Sequence, residues 1–450
     1  SLTGGGTTIL SAQMLGRSRL ITGGMSAAYS NALGGIMDMR LRPGSSDRRG
    51  YTLQAGLTGI DASAEGPFRQ GGRATYLVNY RYSTVGLLSE LGVDLGDERI
   101  GFQDLSIHLS FPMGERTRLS VFALGGMSHN YFERKDSAEV DVDKDLTDID
   151  YTSKMGAAGL SLIVPAGPGA LWRTTAIYSG IAQDREQRYT FFAREDRTRH
   201  QLNESKLSVV SHVQGRLGKK SIHRSGISVL HRQVKVVRNV RLFRQEETRL
   251  LGTDSAQLLV RPYIETEHRL GNRWRLDVGM AYAYVHGFEQ GIPEPRAALR
   301  YALPKERSLS VSAGQRMQLD RIQSYSTNAR HMWRPQGPTM PWYTQEVVVA
   351  YDHPFSKHLV LHGEAFMQRV REIPVSTNLF GGYSGNPFAL VNAWDEFLEL
   401  PQTPLATQLN QGAELGLDHS LHNGLFYRIN ASWMNATYTT PGSAEIPVRW

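Results

Sequence analysis

The chain contains no cysteine among its 450 residues. Disulfide bonds and thiolate metal sites are therefore excluded, and cysteine usage says nothing about its redox compartment. No apolar run approaches the ~18 residues of a membrane-spanning helix, and the longest runs resemble Val347-Val348-Val349-Ala350. The Gly-x-Ser-x-Gly, His-Glu-x-x-His and Walker-type motifs are also missing. We therefore expect a protein that is not an enzyme, with no cofactor and no dedicated metal site.

The basic balance of the chain does not indicate nucleic acid. The formal charge is +7 and the pI is about 9.4, but lysines and arginines are scattered among acids. They are denser only at Lys219-Lys220 and from Arg232 to Arg244. Nucleic-acid binding needs a basic patch on one face, so we predict no nucleic-acid partner. Arginine-rich strand ends suit contact with anionic lipid instead.

Several stretches alternate apolar and polar residues, as strands with two different faces do. Trp274, Leu276, Val278, Met280, Tyr282 and Tyr284 form one such apolar set, and Tyr427, Ile429, Ala431 and Trp433 form another. These sets continue over ~9 to 11 residues, the length of a tilted membrane strand. The other face carries charges such as Arg275, Glu364 and Asp418, which would line a wet lumen in a barrel or meet solvent in a sandwich. The strand pattern leaves both architectures open.

The connections between these strands favour the barrel. Short turns alternate with long polar connections, so successive hairpins would place all short turns at one end. The short turns are at Gln70–Gly72, Met113–Arg116, Gly167–Gly169, Leu217–Lys220, Leu270–Asn272, Pro304–Glu306, Pro354–Lys357 and Leu421–Gly424. The long connections are at 84–101, 132–151, 193–204, 243–255, 287–295, 319–341, 374–407 and after Tyr438. This pattern gives about sixteen strands, and Pro262 within one of them predicts a bulge.

A glycine-studded segment precedes the first long strand. It reads RLITGGMSAAYSNALGGIMDMRLRPG over residues 19–44. The pairs Gly23-Gly24 and Gly34-Gly35 bracket a small-residue turn around Tyr29, and glycine pairs mark sharp turns between short strands. The alternation in Ile36-Met37-Asp38-Met39-Arg40-Leu41 is typical of a half-buried strand.

This segment resembles the end of the plug domain of TonB-dependent outer-membrane receptors. The match comprises Thr22-Gly23-Gly24, Ala28-Tyr29-Ser30 and Gly34 to Leu41, with Ser30 where the family usually has glycine. The resemblance continues at Glu65-Gly66-Pro67-Phe68, Gly101-Phe102-Gln103-Asp104 and Glu294-Pro295-Arg296. It covers nearly the whole chain and is closest to receptors of Bacteroidetes type.

The resemblance implies an all-β fold, a transmembrane antiparallel β-barrel with the C-terminal remnant of an internal plug. We expect residues 1–48 to be the end of the plug and 49–450 the barrel. The family barrel has 22 strands, against about sixteen here. We therefore expect an incomplete chain that lacks its leader, most of the plug and the last strands.

The implied function is active import of a scarce nutrient across the bacterial outer membrane. The nutrient class stays open among metal chelates, vitamins, oligosaccharides and peptides. The implied partners are the TonB–ExbB–ExbD energy-coupling complex, outer-membrane lipid and lipopolysaccharide, a surface lipoprotein and an unknown small-molecule substrate. A passive porin or surface-binding barrel, and a soluble β-rich adhesion protein, are the alternatives.

Candidate functional residues fall into two groups. By resemblance, Gly23, Gly24, Tyr29, Gly34 and Gly35 shape the last turns of the plug. Aromatic and histidine side chains near the long connections suit sugars, chelates and planar ligands. These ligand-contact candidates are His129, Tyr325, His331, Trp333, Tyr383 and Trp394. Spaced acids from Glu133 to Asp150 resemble a calcium loop but lack its glycine and closing glutamate, so a solvated loop is the preferred interpretation.

Overall fold

The computed structural model describes most of the chain. The described residues are 9–29, 31–56, 59–84, 98–135, 143–191, 194–242, 245–286, 291–319, 341–376, 388–389, 402–421, 424–441 and 443–448. No helix among them is both long enough and apolar enough to cross a membrane. The described helices are two short 3-10 turns at Ala12–Met14 and Asp143–Leu146.

Residues 9–49, which we call the N-terminal segment, form a small unit of their own. Strands β1 (Arg19–Thr22) and β2 (Gly35–Asp38) pair with each other, with Thr22 opposite Gly35. The side chain of Ser11 caps the first 3-10 turn by accepting a hydrogen bond from the Gln13 backbone N–H. An isolated bridge joins Leu15 to Leu41 and closes the base of the unit.

The remaining strands form one antiparallel barrel sheet in chain order, closed over a two-residue strand at its end. Seventeen of the described strands have at least seven residues, which agrees with the count of about sixteen from the sequence. The strands are β3 (Gly50–Gly56), β4 (Gly59–Pro67), β5 (Thr75–Tyr82), β6 (Glu98–Pro112), β7 (Arg118–Phe132), β8 (Thr147–Pro165), β9 (Ala170–Phe191), β10 (Arg194–Leu217), β11 (Ser221–Arg241), β12 (Thr248–Leu270), β13 (Trp274–Val285), β14 (Ile292–Ala302), β15 (Ser308–Gln318), β16 (Trp342–Pro354), β17 (Leu359–Ser376), β18 (Phe388–Ala389), β19 (Gln402–Ser420), β20 (Phe426–Thr439) and β21 (Ile446–Pro447).

The two faces of this sheet differ as the alternation predicts. Tyr178, Leu207 and Met280 belong to the outer face, and each is more than 40% exposed. Asn79 of β5 and Arg261 of β12 occupy the alternate positions of their strands, so they point to the inner face, and both are buried. An apolar exposed band with a polar interior is the arrangement of a barrel that faces lipid outside. The predicted all-β fold is therefore confirmed.

The short turns lie between consecutive strands where the sequence predicts them, except that residues 422–423 of the last one fall outside the described residues. Several of the predicted long connections were wrong. Residues 194–204 belong to β10 and residues 248–255 to β12, so these are strands rather than long connections. Strands β8 to β12 reach 19–24 residues, about twice a membrane strand. The parts of these strands farthest from the short turns, which we call the upper parts, carry charges that pair across strands, as Arg199 does with Asp184. Residues on both faces of the sheet are polar there, so the sequence lacks the apolar alternation by which a strand is predicted.

The prediction of a bulge at Pro262 is also wrong. Pro262 pairs with Ile227 of β11 in unbroken register. On the other side, β12 and β13 keep one register from Val260↔Tyr284 to Tyr263↔Ala281, with Arg261 and Pro262 left out of the ladder. The ladder therefore tolerates the missing proline N–H by omitting two pairings rather than by inserting a residue. A shift does occur in β11–β12, between Arg238 and Asn239.

Candidate functional site

The most elaborate polar site in the described residues is the contact between the N-terminal segment and the inner face of the barrel. The segment touches inner-face residues of β4–β6 on one side and of β11–β17 on another. These strands are far apart in the order of the sheet. A segment that reaches both must lie within the barrel.

The first anchor holds the two ends of the segment to β4. The Ser11 hydroxyl donates to Asp61 at 2.6 Å. Arg42 donates to both oxygens of Glu65, at 2.6 and 3.0 Å, and the Ser45 backbone N–H adds a third bond to Glu65 at 2.9 Å. A bidentate arginine–carboxylate pair fixes geometry as well as charge. This anchor therefore sets the path by which the chain enters β3.

Backbone approach strengthens the same anchor. His108 of β6 donates from Nδ1 to the Arg42 carbonyl oxygen at 2.7 Å. Gly44 is buried so close to β5 that a Cβ atom there would lie 2.0 Å from the Tyr76 carbonyl oxygen. An alanine would not fit without a backbone shift. Nearby, Leu10, Met14 and Leu77 form an apolar cluster.

The second anchor begins at Glu265 on β12. Its carboxylate accepts from the Ser26 hydroxyl at 2.6 Å and from the Ala27 backbone N–H at 2.8 Å. Arg224 of β11 donates to the other oxygen at 2.9 Å. One barrel carboxylate thus binds two donors of the segment while a neighbouring strand neutralises it.

A fully buried ion pair lies beside it. Arg261 of β12 and Glu294 of β14 both have side chains with 0% exposure, and the Arg261 Nε donates to Glu294. Arg261 Nη1 donates to the Ala27 carbonyl oxygen at 2.8 Å, and Glu294 accepts from the Met317 backbone N–H at 2.8 Å. Removing either partner would leave a buried charge without compensation.

Two further arginines grip carbonyl groups of the segment. Arg296 of β14 donates to the Ser26 carbonyl at 2.7 Å and the Met25 carbonyl at 3.2 Å. Arg316 of β15 donates to the Leu33 carbonyl at 2.8 Å and to Glu346 of β16. Hydrogen bonds to charged groups contribute about 1.5–3 kcal/mol each. Together these bonds hold the segment in place.

The structure places the glycine candidates around this second anchor. Gly23 and Gly24 have φ of 58° and 48°, a conformation that glycine adopts at no steric cost. Their virtual Cβ atoms would lie against Val348 and Ser312 of the wall. Gly35 pairs with Thr22 in the β1–β2 ladder, and a Cβ on Gly34 would meet nothing within 4 Å.

Tyr29 ties the turn back to β2. Its hydroxyl donates to Asp38 at 3.2 Å. Burial and then the Asp38 carboxylate raise the pKa of Tyr29 above its usual 10. The folded phenol therefore keeps its proton where the unfolded one loses it, and this stabilisation is lost as pH rises above about 10.

We expect Tyr29→Phe to lower the free energy of unfolding by about 0.5–1.5 kcal/mol at neutral pH, the usual net contribution of one hydrogen bond. The deficit relative to wild type should shrink above pH 10, because only the wild type loses stabilisation there. Urea unfolding in detergent between pH 7 and 11 measures both effects. A deficit that grows with pH would contradict this assignment.

Of the ligand-contact candidates, only His129 lies in the described residues. It is on β7, is exposed, and its Nε2 lies 2.9 Å from the Asp150 carboxylate. Tyr325, His331, Trp333, Tyr383 and Trp394 lie outside the described residues. In the described part of the chain, no group of three or more histidine and acidic side chains is arranged to hold a metal ion.

Sequence reasoning missed the anchors themselves. Glu294 and Arg296 stood in a motif that resembles the receptor family, but Arg261, Glu265 and Glu346 carried no separate signal. They share the period-two inner face with many other charged residues. Only the hydrogen bonds across the barrel interior show which of these charges meet the segment.

The fold is similar to those of solved outer-membrane proteins. FpvAI, from its complex with pyocin S2, superposes with a TM-score of 0.70 at 11% identity, over 96% of this chain and 63% of that one. The copper transporter OprC gives 0.66 at 12% identity, over 95% and 70%. The siderophore receptor PirA from Pseudomonas aeruginosa gives 0.59 at 14%, over 96% and 76%.

This chain thus spans less than two thirds of FpvAI and somewhat more of OprC and PirA. No family model matches the sequence, and no curated protein sequence matches it. At these identities the likeness shows the fold, which is that of an outer-membrane β-barrel.

Proposed function

We propose that this chain belongs to a TonB-dependent outer-membrane receptor that imports a scarce nutrient. The observation that supports this most is a segment seated inside the barrel and tied to opposite parts of its wall by charged side chains. Such an arrangement closes a pore until the segment moves. Structural neighbours described as a copper transporter, a siderophore receptor and a peptide transporter support nutrient import in general.

We propose residues 1–48 as the end of the plug and 49–450 as barrel. In support, β1 and β2 pair only with each other in the described residues, and the barrel sheet begins with β3 at Gly50. Gly23, Gly24, Tyr29, Gly34 and Gly35 are proposed to shape the plug turns. The Bacteroidetes type of the receptor rests on the sequence motifs.

We infer from the number of anchors that displacement of the segment is coupled to an external source of energy. Glu65, Glu265 and Arg261 each hold the segment through charge-assisted hydrogen bonds. Spontaneous release of the segment would have to break several of these hydrogen bonds at once. It should therefore be rare, because each bond contributes about 1.5–3 kcal/mol. The TonB–ExbB–ExbD complex would supply this work. A passive porin gains no support from an interior that is occupied in this way.

The remaining partners and site candidates follow from the same proposal. Outer-membrane lipid and lipopolysaccharide would contact the apolar outer band, and a surface lipoprotein would cover the outer rim. The substrate would be a metal chelate, vitamin, oligosaccharide or peptide. His129, near the end of β7 that leads into a long connection, stays a proposed ligand contact, although it shares the outer face of the sheet with Met127.

Deletion of the gene tests the function directly. The deletion strain should grow more slowly on one limiting nutrient in a panel of iron chelates, vitamins, oligosaccharides and peptides. Complementation by the wild-type gene should restore growth only when the TonB system is intact. Normal growth on the whole panel, or restoration without TonB, would contradict the proposal.

A cross-link tests whether the segment must move. In Gly23→Cys/Val348→Cys the two Cβ atoms would lie 3.5 Å apart, within the range of a disulfide. The 450 residues contain no cysteine, so no native thiol among them competes for this bond. We expect oxidised cells to import no more than the deletion strain, and reductant to restore import.

Two controls accompany the cross-link. Gly23→Cys alone carries the strain of a side chain at positive φ, about 1–3 kcal/mol, without the bond. Ser310→Cys/Ala350→Cys joins directly opposed residues of β15 and β16 within the wall and should leave import intact. Import that continues through a completely cross-linked segment would show that the segment does not gate the barrel.

A further inference from the structure

A cavity of about 450 Å³ separates the N-terminal segment from the barrel wall. Its walls are β1, the turn that follows β1 and Arg40 on one side, and the inner face of β10–β16 on the other. It extends from Ile222 and Arg275, beside the short turns, to Glu346 at the level of the buried arginines. The cavity therefore runs alongside the anchored segment toward the short-turn end of the barrel.

Its lining is rich in cations. Six arginines line it, namely Arg19, Arg40, Arg224, Arg275, Arg296 and Arg316. Four carboxylates face them, namely Glu265, Glu267, Asp277 and Glu346. The lining thus has two more positive groups than negative ones.

Four of the six arginines are neutralised by partners. Arg224 pairs with Glu265, Arg275 with Glu267 and Asp277, and Arg316 with Glu346. Arg40 pairs with Asp38, which lies outside the lining.

Arg19 and Arg296 remain. Among the described residues Arg19 makes no ion pair. The carboxylate nearest to Arg296 is Glu294 at 3.8 Å, and Arg261 already holds that carboxylate. These two arginines of the lining are therefore the ones without a carboxylate partner of their own among the described residues.

Buried donors point the same way. The Arg296 side chain is 9% exposed, and its Nε and Nη2 have no hydrogen-bond partner in the part of the chain that the structure describes. The Arg316 side chain is 5% exposed, and its Nε and Nη1 also have no hydrogen-bond partner among the described residues. Buried guanidinium groups without acceptors are unfavourable. Carboxylate and phosphate oxygens match their fork geometry.

We propose that this cavity binds a small solute through a carboxylate or phosphate group. If the proposed import function holds, that solute is the cargo or part of it, so the proposal narrows the substrate class to anions. Binding itself requires only the cavity and its unpaired arginines.

Calorimetric titration of the purified full chain in neutral detergent tests the site. Citrate and inorganic phosphate are the probes, with chloride at matched ionic strength as the reference. We expect saturable binding of at least one probe and none of chloride. Arg19→Gln should weaken it about tenfold, as expected for the loss of a hydrogen bond to a charged group. Arg19 is exposed and unpaired among the described residues, so this variant should fold.

Arg17→Gln is the matched control, since Arg17 is exposed two residues away and does not line the cavity. Its affinity should equal that of the wild type. Absence of saturable binding, equal binding of chloride, or equal weakening by both substitutions would overturn the proposal. If binding fails while the deletion strain keeps its nutrient requirement, the anion site is wrong and the import function stands. If the chain binds the anion but the deletion strain has no nutrient requirement, the anion site stands and the import function is wrong.

Discussion

Replacement of Arg261 by alanine should lower the free energy of unfolding by about 3–5 kcal/mol, the cost of removing one partner of a buried ion pair. The substitution leaves Glu294 charged at 0% exposure. It also removes the donor to the Ala27 carbonyl oxygen, so the segment loses a contact with the wall. Arg296, at 3.8 Å from Glu294, is too far to take over the hydrogen bond.

The measurement is urea unfolding of the purified barrel in detergent, followed by tryptophan fluorescence. Arg275→Ala is the matched control, because Arg275 pairs with Glu267 while 45% exposed. Exposed ion pairs contribute only about 0–1 kcal/mol. Equal losses in the two variants would show that burial of the Arg261–Glu294 pair has no energetic consequence.

The barrel was readable from the sequence wherever one face meets an apolar environment. In β13 and β20 the alternation from Trp274 and from Tyr427 gave both the strand and its outward side. The prediction failed at the start of β10, within the expected connection 193–204, where Arg197 pairs with Glu186 of β9. Where the outer face is polar as well as the inner one, hydropathy does not alternate from one residue to the next. Such strands show themselves only through their cross-strand pairs.

The anchors could not be predicted for a different reason. Arg261 and Glu294 are 33 positions apart, and Arg261 contacts Ala27 from 234 positions away. No local pattern encodes such contacts, because they depend on the barrel register and on how deep the segment sits. The glycine pairs of the segment marked sharp turns in the sequence, and Gly23 and Gly24 do have positive φ. Gly44 escaped notice because its constraint is a neighbour, Tyr76, and not its own φ.

Gly44→Ala should be the more disruptive of two chemically identical changes in the segment. The new methyl group would lie 2.0 Å from the carbonyl oxygen and 2.7 Å from the carbonyl carbon of Tyr76. Tyr76 cannot yield easily, since it is paired with Gly66 on one side and Leu109 on the other. The segment must therefore move, and it carries the Arg42 and Ser45 contacts with Glu65. We expect a loss of about 3 kcal/mol or more, at the upper end for overpacked sites.

Gly34→Ala provides the opposite expectation in the same segment. No atom lies within 4 Å of its virtual Cβ, and its φ is not positive. Alanine at such a site stabilises by about 0.4–1 kcal/mol because it restricts the unfolded chain. Urea unfolding of both variants should therefore give shifts of opposite sign. If Gly44→Ala were tolerated as well as Gly34→Ala, the close approach of the segment to β5 would be wrong, and with it the path by which the segment enters the barrel wall.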